Sequence, residues 1–524
     1  MTARRWTLVA VIFGSASVFL ESSVTAIALP QIGRDLSSRW LGTLEGQSYV
    51  YYAYLLALSS LLILAGSLAD HHGRRRMFLV GLIGFAATSA LCGLAPNMEL
   101  LVAARILQGA SGAILVPGSL SIITASFSGE QQGRAFGIWA GASAGTTILG
   151  PVVGGILVTY VSWRAVFFIT IPLIAVATWA TIKHVPETRD EEASGRFDVP
   201  GAVIVALAVG GLTFGAIRGQ AQEWSGVLPY ISLAIGASAA IAFPFMMRKS
   251  ESPTVPLDLF RSRNFTVANI STLLVYGAIY VVVQFVALFS VNVLGYTEVG
   301  YGIATIPMSI FLALFSARFG VLGDRYGPRI FMTLGPGLMG LGLLWLTRIP
   351  AASRPWQADV SRPASLVPPS DYVTDFLPAM VLFGLGLMVM VAPLTATVMR
   401  SVPVRHSGVA SAFNNAISRV GPQLGGALIF IAVSATFYSA LAGEVPRLDV
   451  DAPAVREEIS PLNPPATDSG RVRQAAANAS TKSFHVAMAI AAAMCFAGAA
   501  VNGLGVANPE ARREDTPVAS EAAS

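Results

Sequence analysis

Apolar runs of roughly 20 residues recur along the whole chain with short charged breaks between them, and each is long enough to cross ~30 Å of hydrocarbon as a helix. Lipid offers no partner to an unpaired backbone amide, so such runs must close their hydrogen bonds within helices or within a closed barrel. Barrel strands would be half as long and would alternate polar with apolar residues. These runs do neither, and the expected fold is an all-α, polytopic membrane protein. With 54% hydrophobic and 12% charged residues, an ordinary soluble domain is excluded.

The runs predict about fourteen spans, near 7–29, 46–68, 77–95, 100–125, 134–158, 164–182, 199–217, 227–247, 265–291, 299–321, 329–348, 376–399, 407–438 and 484–506. A formal charge of +5 does not imply nucleic acid, because the basic residues form short clusters at span ends and so read as orientation signals. Nineteen Lys and Arg residues of the short loops fall on one side, among them Arg4, Arg5, Arg74, Arg134, Lys249 and Arg400; four, Arg34, Arg39, Arg164 and Arg218, fall on the other. That bias places both termini in the cytoplasm; the membrane expected is the cell (inner or plasma) membrane. Arg4, Arg5, an apolar stretch and Ala26-Ile27-Ala28 imitate a signal peptide, but Glu21 interrupts the stretch, which is read as a retained first helix. Cys92 and Cys495 lie inside apolar runs, which argues against a disulfide or a metal site.

A charged hairpin recurs. Gly66, Leu68, Asp70, Gly73, Arg75 and Gly81 reappear at one constant offset as Gly320, Leu322, Asp324, Gly327, Arg329 and Gly335. Eight spans separate the copies, so both point the same way, as in two parallel six-helix halves with two inserted helices. The expected division is 1–182 for the first half and 183–264 for a linker with the inserted pair. The second half follows at 265–506, with flexible extracytoplasmic loops at 349–375 and 439–483, and a cytoplasmic tail at 507–524.

Of the 29 acidic residues, only Glu21 falls well inside a span. A carboxyl in hydrocarbon is costly when ionised, so its protonation responds to water and to a nearby ligand, as proton coupling requires; the alternative is a structural acid bonded to Ser22, Ser23 or a neighbouring helix. Arg105 is its natural partner: Glu21 is ~12 Å and Arg105 ~8 Å below the outer ends of their spans. An arginine snorkelling outward is the competing reading. On the thirteenth span Ser407, Ser411, Asn415, Arg419 and Gln423 fall on one face, with Arg419 ~18 Å from the inner end. They form either one wall of an aqueous cavity or a stripe of interhelical hydrogen bonds. Tyr49, Tyr51, Tyr52 and Tyr54 read as an interfacial aromatic belt. The fifth span carries Gly141, Gly145, Gly150, Pro151, Gly154 and Gly155, which suggest a bent and closely packed helix. There is no phosphate-binding loop, metal cluster or nucleophile constellation, so neither a cofactor nor an enzymatic activity is expected.

At these residues the chain resembles the major facilitator superfamily, in its fourteen-helix drug/proton antiporter branch of the EmrB/QacA type, over nearly all of 1–510. The stretch Gly66 through Asp70, Gly73, Arg74, Arg75 and Arg76 matches the signature of the loop between helices 2 and 3. Leu101 through Arg105, Gln108 and Gly109 match the helix 4 motif associated with proton coupling. Gly145 through Gly150, Pro151, Gly154 and Gly155 match the helix 5 motif typical of antiporters. Leu20 through Pro30 follow the helix 1 pattern, with Glu21 where Asp is usual. The resemblance implies the major facilitator fold and alternating-access multidrug efflux driven by the proton motive force. Glu21 and Arg105 would couple protons, Asn415, Arg419 and Gln108 would line the substrate cavity, and the hairpin with Asp324 and Arg329 would gate. The partners expected are protons, a small-molecule substrate and membrane lipid, for a chain that needs to be no more than a monomer. Alternatives are an exporter of one endogenous metabolite or a peptide/proton symporter, though Glu21-Ser22-Ser23 lacks the acid and arginine cluster of the latter. Substrate charge stays open: ionised Glu21 with Arg105 and Arg419 leaves +1.

Overall fold

The apolar runs do close their backbone hydrogen bonds as helices in a computed structural model, which describes residues 2–37, 43–189, 198–221, 224, 226–359, 361–450, 452, 455–456, 459–464 and 470–508. In chain order the long helices are α1 Ala3–Asp35, α2 Thr43–His72, α3 Arg74–Gly93, α4 Met98–Ser126, α5 Gly129–Tyr160 and α6 Ala165–His184. Then come α7 Val199–Ala221, α8 Val227–Lys249, α9 Arg263–Leu294, α10 Glu298–Tyr326, α11 Pro328–Leu346, α12 Tyr372–Arg400, α13 Ser407–Glu444 and α14 Gly470–Gly505. No strand occurs among the described residues beyond an isolated bridge between Ser460 and Asn463. The fold is that of an all-helical membrane protein, as expected.

The first six helices pack on one another, chiefly α2 on α4, α3 on α4, and α1 on α5 and α6; α9 to α14 do the same, through α11 on α12 and α14, α10 on α12, and α9 on α13 and α14. Helices α7 and α8 pack mainly together, with Gly211 against Gly236, and α7 lies along both α2 and α13. Asp198 pins the two ends of that pair, accepting from Gly201 N at 2.9 Å and from Thr254 N at 3.1 Å.

Each hairpin turns on a glycine with positive φ, Gly73 at +106° and Gly327 at +88°. A side chain is strained there, which explains why glycine recurs at that offset. The two groups of helices meet at the hairpin end. A Cβ built on Gly66 would overlap the Gly408 carbonyl, and one built on Gly137 would overlap the Ala317 backbone. Helices α5 and α10 are still in contact at Gly141 and Ala313, but one turn further along nothing stands within 4 Å of a Cβ built on Gly145. The boundary is thus closed at the hairpin end and parts toward the other.

The long outer segments differ from expectation. Helix α13 runs on to Glu444 and α14 starts at Gly470, so the loop expected at 439–483 shrinks to 445–469. Phe437 and Leu441 bury against Ala475, Ala476 and Ala479, and Glu444 accepts from Lys482 at 3.1 Å and from Asn478 at 3.1 Å; this packing extends both helices past hydrocarbon length. Segment 349–375, expected to be flexible, is tied down. Trp356 is buried and donates to Ser365 O at 3.0 Å, and Thr297 donates to Ala358 O at 2.8 Å. The Ser361 hydroxyl and amide, with Arg362, hold the Asp359 carboxyl below the usual carboxylate range. Most of the expected tail, 509–524, lies outside the described residues.

Candidate functional site

Glu21 of α1 and Arg105 of α4 meet inside the first group of helices, with neither side chain exposed. Arg105 Nη1 donates to Glu21 Oε1 at 3.2 Å and to Gln108 Oε1 at 2.6 Å, while its Nε donates to Val50 O at 3.0 Å. Its guanidinium lies 4.1 Å from the ring centre of Tyr54, which is fully buried. Thr25, one turn after Glu21, donates to the same Oε1 at 3.2 Å. Among the described residues both hydrogen bonds to the carboxylate therefore fall on one oxygen. Glu21 Oε2 and Arg105 Nη2 are both buried without a hydrogen-bond partner among the described residues. Leaving a polar atom of a buried ion pair unsatisfied is costly; a proton on Oε2 would remove the charge and release the pair. The arrangement can hold a proton in one state and an ion pair in the other.

Gln108, expected along a cavity, is turned instead toward α3, where it donates to Ser89 Oγ at 2.8 Å and is fully buried. Tyr54 likewise leaves the aromatic belt; its ring is a shelf for Arg105 and its hydroxyl donates to Val18 O at 3.3 Å. The other three tyrosines are half-buried. Nothing in residue type separated Tyr54 from them, although its spacing from Tyr51, three residues, already puts it one turn deeper. The fifth-span glycines meet α1 beside Glu21: a Cβ built on Gly150 would overlap Ser23 Oγ, and one on Gly154 would stand 3.2 Å from Val24. Gly145 and Gly155 face open space, and the Pro151 side chain lies outside the described residues.

The hairpin end holds a second charged cluster. Asp70 accepts from Arg74 Nε at 3.0 Å within its own hairpin, and from Gly408 N at 3.1 Å and Val409 N at 2.9 Å at the start of α13. Arg74 reaches the same segment, donating to Arg405 O at 3.1 Å and to Val404 O. A carboxylate thus sits at the positive end of a helix dipole, across the boundary between the two groups. Arg75 points elsewhere, to Ile182 O at 2.6 Å. The repeat copy uses a different partner. Asp324 pairs with Arg400 of α12, not with Arg325 or Arg329, and Arg400 also donates to Gln132 Oε1 at 2.8 Å and Gly129 O at 2.7 Å. Arg329 holds the end of α14 through Val506 O at 2.5 Å. The reason is geometric: Pro328 opens α11, so its basic residue follows the proline and faces α14.

On α13, Asn415 donates to Ser411 O at 2.9 Å in its own helix. Its neighbour Asn414 donates to Asn269 Oδ1 at 3.1 Å and Thr272 Oγ1 at 2.9 Å on α9. Arg419 is half-buried and makes no hydrogen bond or ion pair among the described residues. No cluster of His, Cys, Asp and Glu able to hold a metal occurs among them either.

The Major Facilitator Superfamily matches residues 11–426. The chain is 32% identical over 446 residues to the multidrug resistance protein Stp of Mycobacterium tuberculosis, covering 84% of this chain and 78% of that one. It is 31% identical over 430 residues to the tetracenomycin C resistance and export protein of Streptomyces glaucescens, covering 82% and 76%. In architecture it is similar to the human organic anion transporter MFSD10 (TETRAN), with a TM-score of 0.58 over 96% of this chain and all of that one; at 13% identity the likeness concerns the fold alone.

Proposed function

This chain belongs to the Major Facilitator Superfamily, and from that premise we propose that it exports small amphipathic compounds by proton-coupled alternating access, in the manner its resistance and export relatives are named for. It is a transporter and not an enzyme. The observation that carries the reading is the buried Glu21–Arg105 pair with Glu21 Oε2 unpartnered. A proton arriving from outside settles on Oε2 and releases Arg105; a substrate entering from the cytoplasm favours the ionised pair and expels the proton. Gln108, Ser89, Thr25 and Tyr54 hold the two charged groups in register throughout. The cytoplasm lies at the hairpin end, on the positive-inside bias, so both termini are cytoplasmic; export out of the cell requires that the membrane be the plasma membrane. The halves that rock are 1–182 and 265–506, with the inserted pair of 183–264 beside their boundary. Asn415 and Arg419 line the path between them; Asp70, Arg74 and Gly66 with Asp324 and Arg400 close its cytoplasmic end.

Dye uptake into inverted membrane vesicles tests this. Acidifying the lumen is expected to drive uptake that a protonophore abolishes; uptake indifferent to the proton gradient sinks the reading. A second expected result concerns Arg105→Lys. Lysine keeps the charge but loses the Nε bond to Val50 and the flat stack on Tyr54, so the proton-driven rate should fall about tenfold, the equivalent of ~1.4 kcal/mol, with surface expression unchanged. A wild-type rate in that variant would show that only charge matters at this position.

A further inference from the structure

Few charged side chains reach the middle of the membrane among the described residues. Glu21 and Arg105 neutralise one another at 3.2 Å. Arg318 lies exposed on α10, one turn after the exposed Leu314. Neither Arg318 nor Arg419 has a carboxylate partner among the described residues, and of the two only Arg419 is drawn into the bundle. A guanidinium at that depth is costly unless it faces water or an anion, and Arg419 is only half-buried.

Its position follows from register. Helices α2 and α13 run antiparallel and touch at Gly66 and Gly408. Eleven residues along α13 stands Arg419, and eleven back along α2 stands Leu55, next to Tyr54; the level is ~16 Å from the contact. The Tyr54 ring at that level is the one that carries Arg105. Arg419 therefore faces the boundary between the halves, at the level of the Glu21–Arg105 pair and on the opposite half.

We propose that Arg419 is the counter-charge for an anionic group on the transported compound, so that the substrates are amphipathic anions. The proposal rests on the export reading above and adds the substrate class to it. The planar fork of arginine suits a carboxylate, phenolate or sulfonate, and Asn415, one turn before it, adds a polar neighbour on the same face. Energetics follow from charge. At one proton per substrate, an anion leaving as a proton enters moves two elementary charges in one direction, so membrane potential adds to the pH gradient; a monovalent cation would move none.

The test uses the full chain in proteoliposomes with carboxyfluorescein as the anion and ethidium as the cation. Wild type is expected to transport carboxyfluorescein under a proton gradient, faster when a potassium diffusion potential is added. Arg419→Gln should raise the KM for carboxyfluorescein at least tenfold and shift the selectivity ratio tenfold toward ethidium, whereas Arg419→Lys should stay within about threefold of wild type. Proton-driven transport of ethidium with exclusion of carboxyfluorescein, or an Arg419→Gln variant that lowers both dyes equally, overturns the anion site and leaves export standing. Failure of both dyes to respond to the gradient overturns the export reading and this inference with it. Should Arg419→Gln fail to assemble, fluorescence anisotropy on wild type decides: binding of carboxyfluorescein at least tenfold tighter than ethidium supports the site, and equal or weaker binding overturns it.

Discussion

Glu21→Gln is expected to abolish proton-driven accumulation of substrate while leaving substrate exchange across the membrane in place. Glutamine matches glutamate in size, and its amide oxygen can still accept from Arg105 and Thr25, whose bonds both fall on Oε1. What it loses is the exchangeable proton on the second oxygen. The coupling step is then absent, and with it the whole concentrative rate, whereas the rocking of the two halves between equal substrate concentrations needs no proton. Proteoliposomes separate the two: gradient-driven uptake should fall to the protein-free baseline, and counterflow of labelled against unlabelled substrate should persist. Glu21→Asp, one methylene shorter, should restore part of the driven rate because it restores the carboxyl. Gradient-driven uptake by the glutamine variant would remove Glu21 from the coupling step.

The site was partly legible in the chain itself, and the division is physical. Depth within a span is a matter of counting residues at a fixed rise, so Glu21 and Arg105 could be placed at one level before any fold was known, and they do meet. Direction around a helix is harder, because it depends on which neighbour each face meets. Gln108 shares the Arg105 motif, yet it turns to Ser89 on α3; Tyr54 shares a tyrosine cluster, yet it alone stacks on Arg105. The hairpin repeat was legible as a pattern of glycines and charges, since positive φ at Gly73 and Gly327 leaves little choice of residue. The partner of its second copy was not. Arg400 comes from α12, more than seventy residues beyond Asp324, and in the chain it reads only as one more basic residue at a span end. The extension of α13 and α14 beyond hydrocarbon length was hidden for a related reason: alanines such as Ala475 and Ala479 are weakly hydrophobic, and their value lies in close packing rather than in transfer from water.

The closed hairpin end supplies the second large effect. Gly66→Leu should slow turnover by ten- to a hundredfold and leave substrate affinity within about threefold of wild type. The clash is with the Gly408 carbonyl and the Ala412 side chain, and backbone cannot step aside as a flexible side chain would. Overpacking of this kind costs about 1–3 kcal/mol, all of it in the state where α2 and α13 touch, so the conformational equilibrium moves toward the opened hairpin end by up to about two powers of ten. Asp70→Asn acts on the same state more gently. Asparagine keeps one acceptor for the α13 amides but loses the charge that holds Arg74 and faces the helix dipole, an effect of about 1–2 kcal/mol. Conformation can be read directly through Ser411→Cys, since Ser411 is 1% exposed in the closed state and both native cysteines are buried. In the Gly66→Leu background that cysteine should react faster with a membrane-impermeant maleimide added at the hairpin side. Slowed turnover with unchanged labelling would mean that the leucine acts elsewhere. A loss of affinity without a loss of rate would place Gly66 in the substrate path and not in the closure of the hairpin end.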